Sequence, residues 1–506
     1  MGSITELFFK QAERKPDKQA IWCDGKEMTY SELASFVCRY SNYLRKKGVN
    51  RGDIIGIPMN NSIESVALML ASASIGAGLA PINPTLPVDA IDAAFEAGQV
   101  KHVIARSSFF KKHTEKLSCR EGLRLCLDGN VEGMDSLNDV YKMPADKPDM
   151  SAVTGDETWI LTMTSGSTGV PKPIELTQNN KLHRIEAHVK LYGITENDRV
   201  LAATPLYHSL AERLVLIPLV TGAASILLPR FTPNIWLKCA SENKATFTIA
   251  VSAQLGQVAQ LLSSPFVPDI TGFRSIVSSS ALLEPHVRTE LIQKLSCDFH
   301  EMYGTSETST VTSINFREAE SKQQSVGRSI PEADIIIIND DENVVSTGEK
   351  GEIAVKSTLM FNGYYKNKDM TQKAFSKDGY FKTGDLGRLD EDGYLYYCGR
   401  KKELIITGGI NVYPYDVESS ISKVGGVKEC AAFSYPDDRL GEVVAVALVK
   451  DKDTDITERD IKIHCARNLA DFQQPHYVFF VNELPKNPMG KLVRNRIFEL
   501  VRTQEV

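Results

Sequence analysis

Thr162-Met163-Thr164-Ser165-Gly166-Ser167-Thr168-Gly169-Val170-Pro171-Lys172 follows directly on the apolar run Trp159-Ile160-Leu161. The run reads as a buried strand. Five hydroxyl side chains and two glycines then crowd into the stretch before the lysine. Glycine lets backbone N–H groups converge on an anion, hydroxyls add donors and Lys172 adds charge. Thr164, Ser165, Gly166, Ser167, Thr168, Gly169 and Lys172 therefore form a candidate phosphate-binding loop. A Ser/Gly linker has a similar composition, but a linker rarely starts at the end of a buried strand and stops at Pro-Lys. No Gly-Lys-Ser/Thr closes the stretch, which disfavours an ordinary P-loop nucleotide hydrolase.

Outward from this loop, helix and strand signals alternate. Tyr30-Ser31-Glu32-Leu33 opens a helical run to about Lys47, Gly48 stops it, and Asp53-Ile54-Ile55-Gly56-Ile57 reads as a buried strand. A second helix is expected from about Ser62 to Ile75, and the alternation continues through Val103-Ile104 and Ala224–Leu228. That pattern argues for α/β sheets covered on both faces. After about Ser325 the character changes. Asp334–Ile338, Gly351–Val355 and Gly393–Tyr397 are short strands between Gly and Asp turns, an antiparallel β-rich subdomain. Beyond the charged joint Gly399-Arg400-Lys401-Lys402, strands at Ala431–Phe433 and Val443–Val449 with their own helices make a small α+β domain. The expected division is 1–400, with the β-rich subdomain at about 326–400, and 401–506.

The 506 residues exceed one ordinary core, and 42% hydrophobic with 24% charged residues is the composition of a soluble globular protein. A formal charge of −6 supplies no basic face for nucleic acid. Nine cysteines with no C-x-x-C pair read as thiols in a reducing compartment rather than a disulfide framework or a zinc site. The start, Met1–Glu6, has no basic and apolar leader pattern. The apolar stretches Val66–Ile82 and Leu214–Leu228 are interrupted by Pro and Gly, so each is expected to be buried helix or strand rather than a membrane span. A soluble, cytoplasmic protein is the expectation.

The loop resembles the signature of the acyl-adenylate-forming superfamily, which includes acyl-CoA synthetases, firefly luciferase and the adenylation domains of peptide synthetases. The resemblance extends in order over nearly the whole chain. It implies a large N-terminal adenylation domain and a small mobile C-terminal domain. It also implies the chemistry: a carboxylate attacks the α-phosphate of ATP, pyrophosphate leaves, and a mixed anhydride with AMP results. Holding one anion against another needs cations and aligned donors. Glu301-Met302-Tyr303-Gly304-Thr305-Ser306-Glu307 resembles the family's Tyr-Gly-x-Thr-Glu motif. By that resemblance Glu301, Met302 and Tyr303 belong to the nucleotide site, with Tyr303 stacking on adenine. Ser306 contacts the α-phosphate, with its hydroxyl in the place of the usual Thr, and Glu307 holds Mg²⁺. One carboxylate is enough for magnesium, which takes its other ligands from phosphate and water. Phe381-Lys382-Thr383-Gly384-Asp385 resembles Tyr-x-Thr-Gly-Asp, which puts Asp385 on the ribose with Arg400 as its partner. Leu484-Pro485-Lys486-Asn487-Pro488-Met489-Gly490-Lys491 resembles the C-terminal loop whose lysine bridges carboxylate, α-phosphate and ribose. Lys491 is thus the implied catalytic lysine. Pro205-Leu206-Tyr207-His208-Ser209 resembles Pro-Leu-Phe-His, so Tyr207 and His208 flank the acid, with His208 and Glu307 joining Lys491 as catalytic residues.

The resemblance also reaches the second half-reaction. Lys402 matches the hinge, and Gly408-Gly409-Ile410-Asn411-Val412-Tyr413-Pro414 resembles the loop presented to the thiol after the C-terminal domain turns. Small residues at Gly408 and Gly409 leave room for a pantetheine arm. Ser278-Ser279-Ser280-Ala281-Leu282-Leu283 stands where the family has Ser-Gly-Ala-Ala/Gly-Pro-Leu, so Ser279, Ser280, Ala281 and Gly304 join the acyl pocket. A side chain at Ser279 in place of glycine narrows or polarises it. A related loop is read at Ala250–Gln254. No Asp follows the aromatic residue near His208, which argues against an α-amino acid. Glu212 and Arg213 could read a polar acid, but one or both are expected to point outward into a surface ion pair. The expected function is an acid–thiol ligase that uses ATP and Mg²⁺ and transfers the acyl group to coenzyme A. The alternative is a free-standing enzyme that loads the phosphopantetheine of an acyl or peptidyl carrier protein.

Overall fold

The runs read as buried strands lie side by side in a computed structural model of the chain, which describes residues 3–113, 122–165, 171–264, 267–451, 454–486 and 491–502. Two compact units share the chain. The first takes Met1–Ser321, Ile330–Asp334 and Lys356–Phe375; the second takes Lys322–Ser329, Ile335–Val355 and Ser376–Val506.

In the first unit one sheet runs through Gly363–Tyr364, Pro171–Thr177, Thr158–Ser165, Gly78–Ile82, Ile54–Pro58, Val100–Ala105, Arg124–Cys126 and Asp135–Ser136. Its pairs are parallel from Thr158–Ser165 onward and antiparallel at the other end. A second sheet passes through Lys26–Thr29, Gln19–Cys23, Ala224–Leu227, Arg199–Ala202, Phe247–Val251, Ser275–Ser279, Asp298–Thr305 and Ser309–Asn315. It is parallel in the middle, with antiparallel pairs Gln19–Cys23/Lys26–Thr29 and Asp298–Thr305/Ser309–Asn315. Parallel neighbours need crossovers, which the intervening helices supply. Ile54–Pro58 and Gly78–Ile82 are buried at every residue, which is why they read as unbroken apolar runs instead of alternating ones.

The helices start and stop where their caps dictate. Tyr30–Lys46 opens on a capping box in which Glu32 N–H donates to Thr29 Oγ1 and Thr29 N–H to Glu32, and Gly48 follows it at φ +78°. Ile63–Ser74 is capped by Ser62 and buried on nearly every side. Ser209–Thr221 contains Pro218 and ends at Gly222, φ +82°. Tyr30 Oη donates to the carbonyls of Pro218 and Ala223 at 2.8 Å, satisfying the irregular end of that helix. The two interrupted apolar stretches are thus buried helix followed by buried strand, and no described helix is long and apolar enough to cross a membrane.

In the second unit Gly351–Ser357, Phe381–Leu389 and Leu395–Arg400 pair antiparallel. A further sheet orders Ile410–Val412, Ile405–Thr407, Gly441–Lys450 and Val427–Asp437, with Tyr477–Phe480 parallel beside Gly441–Lys450. Gly441–Lys450 is packed on both faces. Val444, Val446 and Leu448 meet Val417, Ile421, Ile461 and Cys465, while Ala445 and Ala447 meet Ile497 and Val501. Two boundaries differ from the sequence reading. Gly393, at φ +78°, closes the turn after Asp390, and Tyr394, its N–H held by Asp390 Oδ1 at 2.9 Å, makes a single bridge to Arg328 before the strand starts at Leu395. Ala250–Gln254 is no loop: the strand Phe247–Val251 passes directly into the helix Ser252–Leu261.

Candidate active site

In the first unit the sheet brings the phosphate stretch to a strand end. Thr158–Ser165 pairs with Pro171–Thr177 in a register that sets Thr164 opposite Lys172 and Ser165 opposite Pro171. Lys172 is therefore the second residue of a strand. Gly166, Ser167, Thr168 and Gly169 lie outside the described residues.

The motif Glu301–Glu307 forms the end of Asp298–Thr305 and the turn into Ser309–Asn315. Glu301 is 1% exposed, and its carboxylate is engaged: Arg288 donates to it at 3.0 Å and so does Leu283 N–H. It thereby anchors the segment Ser278–Leu283 rather than projecting toward solvent. Burial pushes its pKa up, against the pull of Arg288. Met302 and Tyr303 are 9% exposed, and the register slips between Tyr303 and Gly304. A Cβ on Gly304 would stand 1.8 Å from the Ser309 carbonyl oxygen, so glycine is required by the approach of the neighbouring strand. Ser306 and Glu307 follow in the turn. Arg184, 1% exposed, clamps this turn: its Nη2 donates to the carbonyls of Ser306 and Glu307 at 3.1 and 3.0 Å, and its Nε to that of Leu359 at 2.8 Å. Tyr364 Oη donates to Glu307 Oε1 at 3.2 Å, and burial with the Glu307 charge pushes that phenol up. Glu307, part-exposed and oriented by this phenol, fits a magnesium ion that takes one carboxylate from the protein and the rest of its shell from phosphate and water.

The expected acyl-pocket residues are positioned by groups that the sequence reading missed. Asn61 donates to the carbonyls of Thr204 and Leu228 at 3.0 and 2.8 Å and accepts from Leu206 N–H at 2.7 Å, which fixes the run Pro205–His208. His208 caps the helix Ser209–Thr221, with its ring 4.6 Å from that of Tyr207. Burial lowers its pKa to about 4, so its imidazole is neutral at pH 7. Ser252 holds the carbonyls of Ser279, at 3.3 Å, and of Ala281. Ser279 is 9% exposed at the end of its strand, and Ser280 follows at φ +77°, a left-handed conformation that is strained for a residue with a Cβ. Glu212 and Arg213 do not face outward. They are 0% and 7% exposed, with Glu212 paired to Lys181 and Arg213 beside His188. One sign was legible: Lys181, Arg184 and His188 fall on the buried side of a helix that also buries Leu182 and Ile185. Asn61 and Ser252 act on backbone far away in sequence, and Arg288 on the Leu283 carbonyl and the Glu301 carboxylate; none of them left a local sign.

The second unit gathers the remaining candidates. Asp385 and Arg400 are strand partners, and Arg400 Nε lies 3.2 Å from Asp385 Oδ1. Asp385 is 4% exposed. Burial disfavours the Arg400 charge, but Asp385, Tyr397 and Glu403 outweigh it and hold its pKa up. Lys491 lies in the field of Arg400, Asp385, Glu403 and Lys402; burial first, then Arg400, lowers its pKa to about 8. Lys402 is exposed in the short 3₁₀ turn Lys401–Glu403. Gly408 and Gly409, at φ +55° and +84°, are the two turn residues between Ile405–Thr407 and Ile410–Val412. Two positive φ values in a two-residue hairpin demand such residues, so the glycines have a backbone reason beside the space they leave.

Residues 8–365 match the AMP-binding enzyme family, and residues 416–491 match the AMP-binding enzyme C-terminal domain. The chain is 29% identical over 479 residues to the long-chain-fatty-acid–CoA ligase FadD13 of Mycobacterium tuberculosis, covering 93% of each chain. It is 28% identical over 510 residues to the oxalate–CoA ligase of Arabidopsis thaliana, covering 97% of each. Among solved structures, ATP-bound MatB from Rhodopseudomonas palustris superposes with a TM-score of 0.88 at 27% identity, over 100% of this chain and 99% of that one. Fold and motifs together define an adenylate-forming ligase. The chain belongs to the AMP-binding enzyme family. It is an AMP-forming acid–thiol ligase: ATP converts a carboxylic acid to an acyl-adenylate, and the acyl group passes to coenzyme A.

Proposed function

We propose that these residues divide the two half-reactions between them. In adenylation Lys491 bridges the acid's carboxylate and the α-phosphate as a cation, Asp385 receives the ribose hydroxyls, and Arg400 pairs with Asp385. Tyr303 packs against adenine. Thr164–Gly169 with Lys172 hold the phosphates, and Ser306 donates to the α-phosphate. Glu307 holds Mg²⁺, which neutralises phosphate charge when bound. His208, neutral at pH 7, lies beside the carboxylate without adding a charge that competes with Lys491. After pyrophosphate leaves, residues 401–506 turn about Lys402, withdrawing Lys491 and bringing the Gly408–Gly409 turn to the thiol of CoA. The observation that carries this reading is the burial of Lys491 in the field of the Arg400–Asp385 ion pair, whose Nε and Oδ1 lie 3.2 Å apart, with Glu403 and Lys402 adding to that field. A lysine on an exposed tail would not be pushed down to about 8.

Kinship does not choose the acid, since the identities to relatives named for a long-chain fatty acid and for oxalate are nearly equal. The test is ATP–pyrophosphate exchange over aliphatic, aromatic and dicarboxylic acids, followed by thioester formation with free CoA. Lys491→Ala should suppress exchange by at least about 100-fold while leaving CoA thioester formation from supplied acyl-adenylate near wild type. Equal loss in both half-reactions would sink the assigned role. Exchange without any thioester on free CoA would replace CoA by the pantetheine of a carrier protein.

A further inference from the structure

The helix that starts after His208 carries two ionisable residues in succession, and both are withdrawn from solvent. Glu212 is matched by Lys181, whose Nζ also donates to Ser209 Oγ at 3.2 Å. Among the described residues Arg213 makes no ion pair with a carboxylate of its own, and the carboxylate that acts on it is Glu212, which Lys181 already engages. Its Nη1 lies 2.9 Å from His188 Nε2 and 3.4 Å from Thr310 Oγ1. His188 Nδ1 lies 2.7 Å from the Arg184 carbonyl, so Nδ1 carries the proton and Nε2 accepts. Burial and the two neighbouring guanidinium groups keep that ring neutral. Arg213 therefore meets two uncharged groups.

The local charge is out of balance. Lys181, Arg184 and Arg213 are all buried, against Glu212, which faces Lys181, and Glu307, which lies at the Arg184 end and is the proposed magnesium ligand. Glu212 acts on Arg213 as well as on Lys181, so one carboxylate serves two buried cations and the nest calls for a further anion. Among the described residues, Arg213 donates through Nη1 alone; Nε and Nη2 meet no acceptor. The residue nonetheless keeps 7% exposure. Its surroundings say where an anion would come from. His208 caps the helix that carries Arg213, and Thr310, which Arg213 touches, is the strand partner of Gly304. Both His208 and Gly304 belong to the proposed acid-binding site.

We propose that Arg213 is a specificity residue that binds a second anionic oxygen group on the acid, so that the preferred substrate is a diacid activated at one end. This rests on the acyl-pocket reading of His208 and Gly304. Nε and Nη2 present two parallel donors, the geometry that a carboxylate accepts in a fork. The Lys181–Glu212 pair holds the first turn of the helix, so the fork is set before the acid arrives.

The experiment is pyrophosphate exchange with acids matched in length and differing only at the far end: butanoate against succinate, and hexanoate against adipate. Wild type should favour the diacid of at least one pair by about 100-fold or more in kcat/KM. Arg213→Leu should lose that preference or reverse it, and Arg213→Lys should keep part of it, since an ammonium attracts but cannot fork. Equal or better use of the monoacids by wild type overturns the proposal. So does a loss of both acids by the same factor in Arg213→Leu, the mark of a purely structural arginine. If Arg213→Leu does not fold, the wild-type ratio and Arg213→Lys decide. Exchange with none of the acids in any panel would instead overturn the reading of the site as an adenylating centre, and the role of Arg213 with it.

Discussion

Lys491 acts as a cation, and its surroundings work against its being one. Burial and Arg400 lower its pKa from 10.5 to about 8, while Asp385 and Glu403 pull the other way. Below that pH the ammonium is present; above it the neutral amine dominates. The kcat/KM for ATP in pyrophosphate exchange, which reports the unliganded enzyme, should therefore fall through about pH 8 with a slope of about one decade per pH unit. The bound triphosphate favours the ammonium, so the corresponding break in kcat should lie higher. Lys491→Arg keeps its charge, and whatever activity it retains should show no such fall. A wild-type profile flat to about pH 9.5 would show that Lys491 is not the group on which adenylation depends. Stability carries the opposite sign. The folded pKa is below the unfolded one, so the unfolded chain binds more protons between the two values, and this lysine destabilises less as pH rises through that window.

The hairpin of Asp298–Thr305 and Ser309–Asn315 shows how the site is made at the level of elements. The slip in register at Tyr303/Gly304 turns the chain so that Ser306 and Glu307 leave the sheet together, and Arg184 fixes the turn by its carbonyls. Gly304→Ala should force the strands apart at Ser309, costing about 1–3 kcal/mol in urea unfolding, and should reduce exchange by at least about 10-fold. Unchanged stability with unchanged exchange would show that the close approach is relaxed without cost and that Gly304 positions nothing. The hairpin also marks what the sequence could disclose. Glu301, Tyr303, Ser306 and Glu307 are legible as one candidate segment because they are contiguous and fit a motif. Arg184 and Arg288, which hold that motif from helices elsewhere in the chain, are not. Glu212 and Arg213 were read as surface residues because charged side chains are rarely buried without a visible partner. Their partners Lys181 and His188 lie on a different helix, and only packing joins them.

At the scale of the molecule, two parallel-cored sheets and an antiparallel region were legible because fully buried strands are continuous in apolar residues and half-buried ones alternate between turns. How the chain is shared between compact units was less so: Lys322–Ser329 and Ile335–Val355 join Ser376–Val506, while Lys356–Phe375 returns to the first unit, a double crossing that no local signal announces. The proposed turn of residues 401–506 is thus a change within the second unit, centred on Lys402 between the Asp385–Arg400 pair and the Gly408–Gly409 hairpin. A pivot must change its backbone dihedrals, and proline holds φ near −65°. Lys402 is exposed in a 3₁₀ turn, so Lys402→Pro loses no buried side chain. It should leave pyrophosphate exchange within about threefold of wild type and reduce thioester formation from supplied acyl-adenylate by about 100-fold or more, because only the second half-reaction needs the turned state. Exchange and thioester formation falling together would mean that the substitution damages the Arg400–Lys491 neighbourhood instead. Both surviving would place the pivot elsewhere in residues 400–404, and scanning proline through those positions while following the two half-reactions separately would find it.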